Sequence, residues 1–421
     1  MRLLCVTVSV MVGFGLLHCG KDSSGSASVG PSPDGGTTSD GGTGADGGTS
    51  SDGGTPDGGT ASSDCDGLAP GTPGAPAQIS LPDQDLNSGE CFPGETDGTG
   101  HVAVSWQNGF QPHDSRYKFI DPSNGQVVGS YLAAGMYPLI GQASGFMGGE
   151  CNGSMCEEDY VVLDPAGKEL YKSPFSGTGN NVNVNDPTGG MIHVRFSESS
   201  AGTTMLLDAI DAAGNIRWTR ALPDVFGKGD SRAMRVGVDR QGNVLAVWSS
   251  ERRYGTNAWA GQWFDPAGTP GAVFHAATGF LDKFYERVGS GLFLAGFSGP
   301  NQPVWLGQFD AQATSMSPPP DWLAARPNTA LHMVHGGKGY AVLPKPASSA
   351  ACEQQVEVVS PSGKTCGSST FSMGGGACNT SSIIVGYDGT VVRQGPRERE
   401  TCTAAGHQCT CTYRYWPVFF R

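Results

Sequence analysis

Ten cysteines beyond residue 60 are the side chains of this chain best suited to covalent chemistry. An even number of cysteines in a chain that reaches an oxidising compartment predicts disulfide bonds. Cys151 and Cys156 stand in one short segment and are predicted to pair, and the cluster 352–411 is predicted to join the last two structural units of the chain. The ten residues are Cys65, Cys91, Cys151, Cys156, Cys352, Cys366, Cys378, Cys402, Cys409 and Cys411.

The same residue types could instead hold a metal ion. The segment Cys402-x4-His407-x-Cys409-x-Cys411 offers ligands that suit zinc, but its spacing matches no known zinc knuckle. Because Cys409 and Cys411 are two residues apart on a predicted strand, their side chains point the same way and are expected to pair with different partners. His332-x-x-His335 is a further ligand pair, without a third ligand nearby. We favour disulfides and expect no metal and no cofactor.

Catalytic motifs are absent from the sequence. It contains no Gly-x-Ser-x-Gly, no His-Glu-x-x-His and no glycine-rich phosphate loop. Polar side chains that could contact a ligand concentrate instead in the segments 107–116, 150–159, 249–257 and 395–408. The candidate binding residues in these segments are His113, Asp114, Glu157, Glu158, Asp159, Arg252, Arg253, Tyr254, Arg397 and Arg399.

Composition indicates which elements position these segments. The chain has 421 residues, of which 65 are Gly, 28 are Pro and only 15% are charged. Gly and Pro both penalise helix interiors, so we expect many short strands joined by tight turns. The net charge of -13 argues against nucleic acid as a partner, because phosphate binding needs a basic surface.

Residues 1–19 are expected to be an export signal. Arg2 is followed by an apolar run of about 15 residues, which is too short to span a membrane and fits the hydrophobic region of a signal peptide. The segment from Leu16 to Cys19 resembles a lipobox, with His18 in place of the usual small residue before the lipidated cysteine. The resemblance implies an outer-membrane or cell-surface lipoprotein anchored through Cys19. A periplasmic or secreted protein that is cut elsewhere is the alternative.

Residues 20–75 are expected to form a disordered tether. Residues 20–64 are nearly all Gly, Ser, Thr, Asp and Ala, and Asp-Gly-Gly recurs from Asp34 to Gly59. Because no aromatic or large aliphatic cluster is present, nothing offsets the conformational entropy of this segment. Such a tether would hold the following domain away from the membrane.

From about residue 76 onward the sequence repeats one pattern. A glycine opens a short apolar strand, a variable polar segment follows, and a later strand ends in a turn such as Asp265-Pro-Ala-Gly268, where Asp bonds its own backbone and Gly accepts positive φ. The spacings between successive opening glycines are 45, 45, 52, 49, 48 and 50 residues. These glycines are Gly100, Gly145, Gly190, Gly242, Gly291, Gly339 and Gly389.

Seven units of four strands at this period are typical of β-propeller blades. We therefore predict an all-β fold, a seven-bladed β-propeller with four-stranded blades over residues 76–421, with a pair of β-sandwiches as the alternative. The last unit has only three strands of its own. The segment 77–81 is expected to supply the fourth and close the ring, which removes exposed strand edges.

Two stretches resemble known propeller repeats. The stretch 236–274 is similar to the NHL repeat, with Val-x-Val-Asp, x-x-Gly-Asn and an aromatic-Asp-x-x-Gly turn, and 209–218 is similar to the quinoprotein repeat. The resemblance implies a bacterial surface lipoprotein with a propeller fold, and it implies no particular activity. The adjacent cysteines of quinone-binding enzymes are absent.

The four polar segments fall between the second and third strand of their units, and in a propeller such connections share one face. Loops on a rigid scaffold commonly carry function. We expect a monomeric, non-enzymatic module that binds an envelope protein or glycan through this loop face. Two alternatives stay open. One is an extracytoplasmic carbohydrate-active enzyme that uses carboxylates such as Glu157, Asp159 and Asp114, and the other is a structural surface protein without a ligand.

Overall fold

The structure is a computed structural model, in which the chain divides into two units, Met1–Ala61 and Ser62–Arg421. All residues that it describes lie in the second unit. The described ranges are 64–72, 77–83, 90–107, 114–121, 123–134, 139–152, 157–172, 182–199, 202–222, 234–249, 258–297, 303–327, 329–334, 336–344, 353–372, 383–386, 388–394, 409–416 and 419–420. The predicted export signal, Cys19 and the Asp-Gly-Gly repeats lie outside these ranges and stay predictions.

The strands form seven antiparallel sheets, which we call blades 1 to 7 in chain order. Strand β1 (Ala77–Asp83) precedes blade 1 in the chain. Blade 1 contains β2 (Glu90–Thr96), β3 (Val102–Gln107), β4 (Asp114–Ile120) and β5 (Val127–Ala134). Blade 2 contains β6 (Ile140–Gly141), β7 (Phe146–Asn152), β8 (Glu157–Leu163) and β9 (Glu169–Lys172). Blade 3 contains β10 (Val182–Asn185), β11 (Met191–Ser199), β12 (Gly202–Ile210) and β13 (Ile216–Ala221).

The remaining blades follow the same order. Blade 4 contains β14 (Met234–Val238), β15 (Val244–Ser249), β16 (Ala258–Phe264) and β17 (Phe274–Thr278). Blade 5 contains β18 (Phe280–Glu286), β19 (Leu292–Phe297) and β20 (Pro303–Phe309). Blade 6 contains β21 (Thr329–Val334), β22 (Gly339–Pro344), β23 (Glu353–Val359) and β24 (Thr365–Ser372). Blade 7 contains β25 (Ile383–Val385), β26 (Val391–Gln394), β27 (Cys409–Trp416) and β1.

These sheets confirm the all-β, seven-bladed propeller that the repeat predicts. Blade 5 differs from the four-stranded pattern, because its sheet has three strands among the described residues. An isolated antiparallel bridge between Gln308 and Ser317 stands where its fourth strand would pair. The helix α1 (Asp321–Ala324) follows on the way to blade 6. No helix in the described ranges is long and apolar enough to cross a bilayer.

The opening glycines of the repeat form the turn between the first and second strand of a blade. In six blades this glycine has positive φ, for example 80° at Gly242 and 101° at Gly190. In blade 6, Gly337 takes that conformation, with φ of 88°, two residues before the repeating Gly339. Because other residues adopt positive φ only at a cost, glycine sets where each hairpin reverses.

The ring closes as the sequence predicts. Strand β1 pairs antiparallel with β27, from Ala77 opposite Tyr415 to Asp83 opposite Cys409. Blade 7 therefore combines one strand from the beginning of the described chain with three from its end. This pairing gives blade 7 its fourth strand and covers the edge of β27.

The residues just before β1 are packed, although their composition placed them in the predicted tether. Leu68 is 3% exposed and belongs to one apolar cluster with Val356 and Phe419. Cys65 forms a disulfide with Cys366 in β24. One buried leucine and one covalent bond thus fix a segment that composition alone assigns to coil. The pairing of the other eight cysteines, Cys151 with Cys156 included, lies outside the described side chains and stays a prediction.

Aromatic side chains join neighbouring blades. The Trp218 ring of blade 3 stacks on Phe264 of blade 4 with ring centres 6.0 Å apart, and its Nε1 donates a hydrogen bond to the Pro266 carbonyl oxygen at 3.1 Å. Gly268, in the turn that follows, has φ of 77°, and a Cβ added there would lie 2.6 Å from Cδ2 of Trp218. The missing side chain of Gly268 therefore makes room for the ring of the preceding blade.

Replacing Gly268 with alanine is expected to lower the free energy of unfolding by roughly 3 kcal/mol, because the methyl group meets the Trp218 ring and the backbone stays at positive φ. Urea unfolding followed by tryptophan fluorescence measures this loss. Gly289→Ala is the matched control, since Gly289 has φ of 91° and open space around an added Cβ. Its loss should be only about 1 kcal/mol. Equal losses in both variants would show that the Trp218 contact does not hold the blades together.

Candidate functional site

Only some of the residues predicted to form the loop face are among the described residues. Asp114 is the first residue of β4, and Glu157, Glu158 and Asp159 are the first three of β8, so their backbones stand where a second strand has led into a third. Nothing is described of their side chains. The other candidates lie outside the described residues, and all of them stay predictions. These are His113, Arg252, Arg253, Tyr254, Arg397 and Arg399.

A different site lies in the centre of the ring. The first strands of the blades surround a channel, and a cavity of about 270 Å³ lies in it, lined by residues of blades 3 to 7. Asn185, Val238 and Val385, which line the cavity, are the last residues of β10, β14 and β25. The cavity therefore occupies the end of the channel nearest the turns between first and second strands. This turn face is opposite the predicted loop face.

Three ionisable side chains on first strands belong to this channel. Glu95 comes from blade 1, Lys283 from blade 5 and His332 from blade 6. The Lys283 Nζ atom lies 4.6 Å from the centre of the Tyr285 ring. The Lys283 charge acts electrostatically on both Glu95 and His332.

The channel holds Glu95 and His332 in their neutral forms. Burial raises the pKa of Glu95 from 4.5 to about 8, although the Lys283 charge opposes this rise. Burial lowers the pKa of His332 from 6.5 to about 4, and Lys283 acts in the same direction. Near pH 7 the channel therefore presents a carboxylic acid, a neutral imidazole and an ammonium group.

His332 lies on β21, the first strand of blade 6. His335, its possible partner as a metal ligand, is outside the described residues. Within the described ranges, no three His, Cys, Asp or Glu side chains are grouped closely enough to hold a metal ion.

Two further polar features belong to the cavity. Asn185 Oδ1 is buried and accepts no hydrogen bond from any described residue. At the rim, Arg240 Nη2 of blade 4 donates a hydrogen bond to the Gly336 carbonyl oxygen of blade 6 at 2.9 Å. This bond passes blade 5 and places a guanidinium group at the turn face. The cavity thus contains an unsatisfied acceptor, and one guanidinium group lies at its turn end.

A second buried polar cluster lies within blade 3 and serves the fold. Asp208 is 2% exposed and accepts hydrogen bonds from Arg195 Nε at 2.5 Å and Thr219 Oγ1 at 2.6 Å. His193 lies directly opposite Asp208 in the strand register. Burial lowers the pKa of His193 to about 4, and Arg195 lowers it while Asp208 raises it. Since the carboxylate is satisfied inside one sheet, we assign this cluster a structural role.

The sequence did not point to the channel residues. Glu95, Asn185 and Lys283 occupy the first strands of different blades, in a part of the repeat that has no shared residue type. The only sequence signal for these residues is their position in the repeat. The residues that precede each opening glycine belong to the first strand of a blade, which lies next to the channel. Only a prediction of blade order, combined with that position, would have brought these three residues together.

Comparisons with known proteins give the fold and no family. No family model matches the chain, and no curated protein matches its sequence. Among solved structures, the chain is similar to the β-propeller domain of the Trilobed protease from Pyrococcus furiosus, with 10% identity, a TM-score of 0.47 and coverage of 78% of this chain and 97% of that one.

Two further solved structures show the same kind of likeness. One is the acylaminoacyl peptidase of Pyrococcus horikoshii, with 10% identity, a TM-score of 0.42 and coverage of 75% of this chain and 50% of that one. The other is TolB from Acinetobacter baumannii, with 11% identity, a TM-score of 0.36 and coverage of 75% and 80%. At these values the likenesses carry no argument about activity.

Stability is expected to depend on pH through Glu95. Its folded pKa of about 8 exceeds its ordinary value of 4.5, so the folded chain holds an extra proton between these values and loses stability as pH rises through them. Glu95→Gln should remove this loss. The variant should be more stable than the parent at pH 8.5 by roughly 2–4 kcal/mol, and nearly equal to it at pH 5.

Urea unfolding of both chains at the two pH values measures this difference. Glu169→Gln is the matched control, because it makes the same substitution at an exposed position on β9, outside the channel. A Glu95→Gln curve parallel to the parent curve would show that Glu95 ionises in the folded protein as it does in water. The low pKa of His332 and His193 makes both chains lose stability together on acidification from pH 6.5 to 4.

Proposed function

We propose that this chain is an envelope-anchored β-propeller lipoprotein that binds a protein or glycan partner through its loop face without catalysing a reaction. The observation that carries the proposal is the arrangement of the seven blades in one closed ring. In such a ring, every connection between a second and a third strand reaches the same face. The variable polar segments of the sequence fall on these connections, where a rigid scaffold can present them to a partner.

The anchoring part of the proposal rests on the N-terminal sequence. The apolar run that ends at Cys19 precedes a polar segment with repeated Asp-Gly-Gly. Acyl chains on Cys19 would supply about 0.8 kcal/mol per buried methylene, and more than one chain gives stable attachment. The Cys65–Cys366 disulfide agrees with an oxidising compartment outside the cytoplasm.

An extracytoplasmic carbohydrate-active enzyme is the second candidate. The observation that favours it is the Glu95 carboxyl, which burial keeps protonated near pH 7, as general acids of glycosidases require. Hydrolysis would need a second carboxylate on the opposite side of the scissile bond. Asp114, Glu157 and Asp159 are the sequence candidates for that partner, and their side chains lie outside the described part of the chain.

Cys19→Ser is expected to move the protein from the membrane fraction to the soluble fraction, because it removes the thiol that carries the acyl chains. Fractionation of the expressing cells, with detection of the chain in both fractions, measures the shift. Cys5→Ser is the matched control, since it changes a cysteine in the same segment and should leave the protein membrane-bound. Membrane attachment that survives Cys19→Ser would contradict lipidation at this residue.

Partner binding is tested by capture from envelope extract with the full chain. The double change Arg252→Glu and Arg253→Glu reverses charge on the loop face and should reduce partner recovery at least about fivefold. Lys168→Glu with Lys364→Glu makes the same charge change in exposed turns of blades 2 and 6 and should leave recovery unchanged. If the Lys168→Glu and Lys364→Glu variant lost its partner while the Arg252→Glu and Arg253→Glu variant kept it, the loop-face assignment would be wrong. Turnover of extract glycans that disappears in Glu95→Gln would favour the enzyme instead.

A further inference from the structure

The size of the axial cavity limits what it can hold. Small-molecule pockets commonly measure about 300–1,000 Å³. At about 270 Å³, this cavity lies just below that range. It therefore suits a group as large as one amino-acid residue and is too small for several sugar units.

The wall of the cavity is chiefly apolar. Val238, Leu292, Leu331 and Val385, from four successive blades, all line it and are all buried. The ring of Phe284 adds an aromatic surface between them. A branched or aromatic hydrocarbon group of a ligand would bind most favourably against such a wall, because burial of apolar surface is the main favourable contribution to the binding free energy. A sugar ring, covered with hydroxyl groups, would leave most of them without partners.

Two polar requirements accompany this apolar wall. Asn185 Oδ1 is buried without a hydrogen bond from the described residues, so a ligand with an N–H or O–H donor would remove the cost of that unpaired acceptor. The Lys283 ammonium group lies beside the lining, 4.6 Å from the centre of the Tyr285 ring, and the neutral imidazole of His332, which lines the cavity, can donate a hydrogen bond. A cation beside a neutral donor is a favourable surrounding for a carboxylate.

The turn end of the cavity carries charges of both signs. Glu286 lines the cavity at its turn end, and it acts on Tyr340 together with Arg287 and Arg240. Its negative charge is therefore accompanied by two guanidinium groups, one of which forms an ion pair with Asp310 at 2.5 Å. Lys283 adds a further positive charge on the same strand.

We propose that the axial cavity binds a peptide carboxy-terminus whose last residue is apolar. The terminal carboxylate lies against Lys283, the last backbone N–H donates to Asn185 Oδ1, and the side chain packs on Leu331 and Val385. This second site goes beyond the proposed function, since it lies at the turn face and needs none of the loop-face residues. One residue with a free carboxylate, one amide N–H and one hydrocarbon group matches the Lys283 charge beside the lining, the Asn185 acceptor and the apolar wall.

Isothermal titration of the full chain with N-acetyl-leucine tests the proposal, because this compound has the three features and no others. Binding in the low millimolar range is expected for so small a ligand. N-acetyl-leucinamide lacks the charge and should bind at least about tenfold more weakly. The compound 4-methylpentanoate keeps the charge and the hydrocarbon but lacks the N–H, and should bind at least about fivefold more weakly.

Lys283→Met should weaken N-acetyl-leucine binding at least about tenfold, and Lys283 is exposed in the channel, so this variant should fold normally. Lys364→Met removes the same charge from an exposed turn of blade 6 and should bind like the parent. Equal affinity for N-acetyl-leucine and its amide, unchanged binding by Lys283→Met, or no saturation at about 20 mM ligand would each overturn the proposal.

The loop-face proposal and this one can fail separately. The Arg252→Glu and Arg253→Glu double variant should bind N-acetyl-leucine like the parent, while Lys283→Met should still capture the loop-face partner. Loss of N-acetyl-leucine binding in the loop-face variant would contradict a site confined to the turn end of the channel.

Discussion

Interactions that reach from one blade to the next are the constraint on which this propeller depends. Asp97 in blade 1 is fully buried, and one of its oxygens accepts a hydrogen bond from the Gly145 N–H of blade 2 at 2.8 Å. Asp239 in blade 4 repeats this bond with Gly291 N–H of blade 5 at 3.1 Å. A buried carboxylate without its partners costs several kcal/mol, so each of these blades needs its successor in place. Stability therefore belongs to the ring and not to any single sheet, as in other repeat architectures.

A ring that depends on neighbours has one weak place, where the first blade meets the last. The chain strengthens it in two ways. Strand β1 completes blade 7 by pairing with β27. The disulfide from Cys65 to Cys366 then ties the segment before β1 to blade 6, and Leu68 packs into the apolar cluster between them. Opening the ring would thus require breaking a strand pairing, a covalent bond and an apolar contact together, which makes closure cooperative.

The fold could be predicted from the sequence because glycine and aspartate recur at the turns of successive blades. A turn at positive φ needs glycine, so Gly242 and its equivalents mark the turn between the first and second strands in six of the described blades. Two features of the fold lack these signals, and the sequence therefore does not predict them. Blade 5 has Gln312 at φ of 61° in place of a turn glycine, and its fourth strand is reduced to one bridge. Residues 64–72 were assigned to the tether, since a single leucine and a single cysteine hardly change its composition.

The axial cavity could not be predicted in this way, for a reason that also bears on its role. Repeats fix the residues that every blade must share, and these residues face turns and neighbouring blades. Glu95, Asn185 and Lys283 project from inner strands where the repeat imposes no residue type. Burying a neutral acid and an unpaired amide oxygen costs stability, and alanine or valine in place of Glu95 and Asn185 would avoid that cost. A polar group that the fold does not need, placed where all blades converge, is best explained by something that binds there.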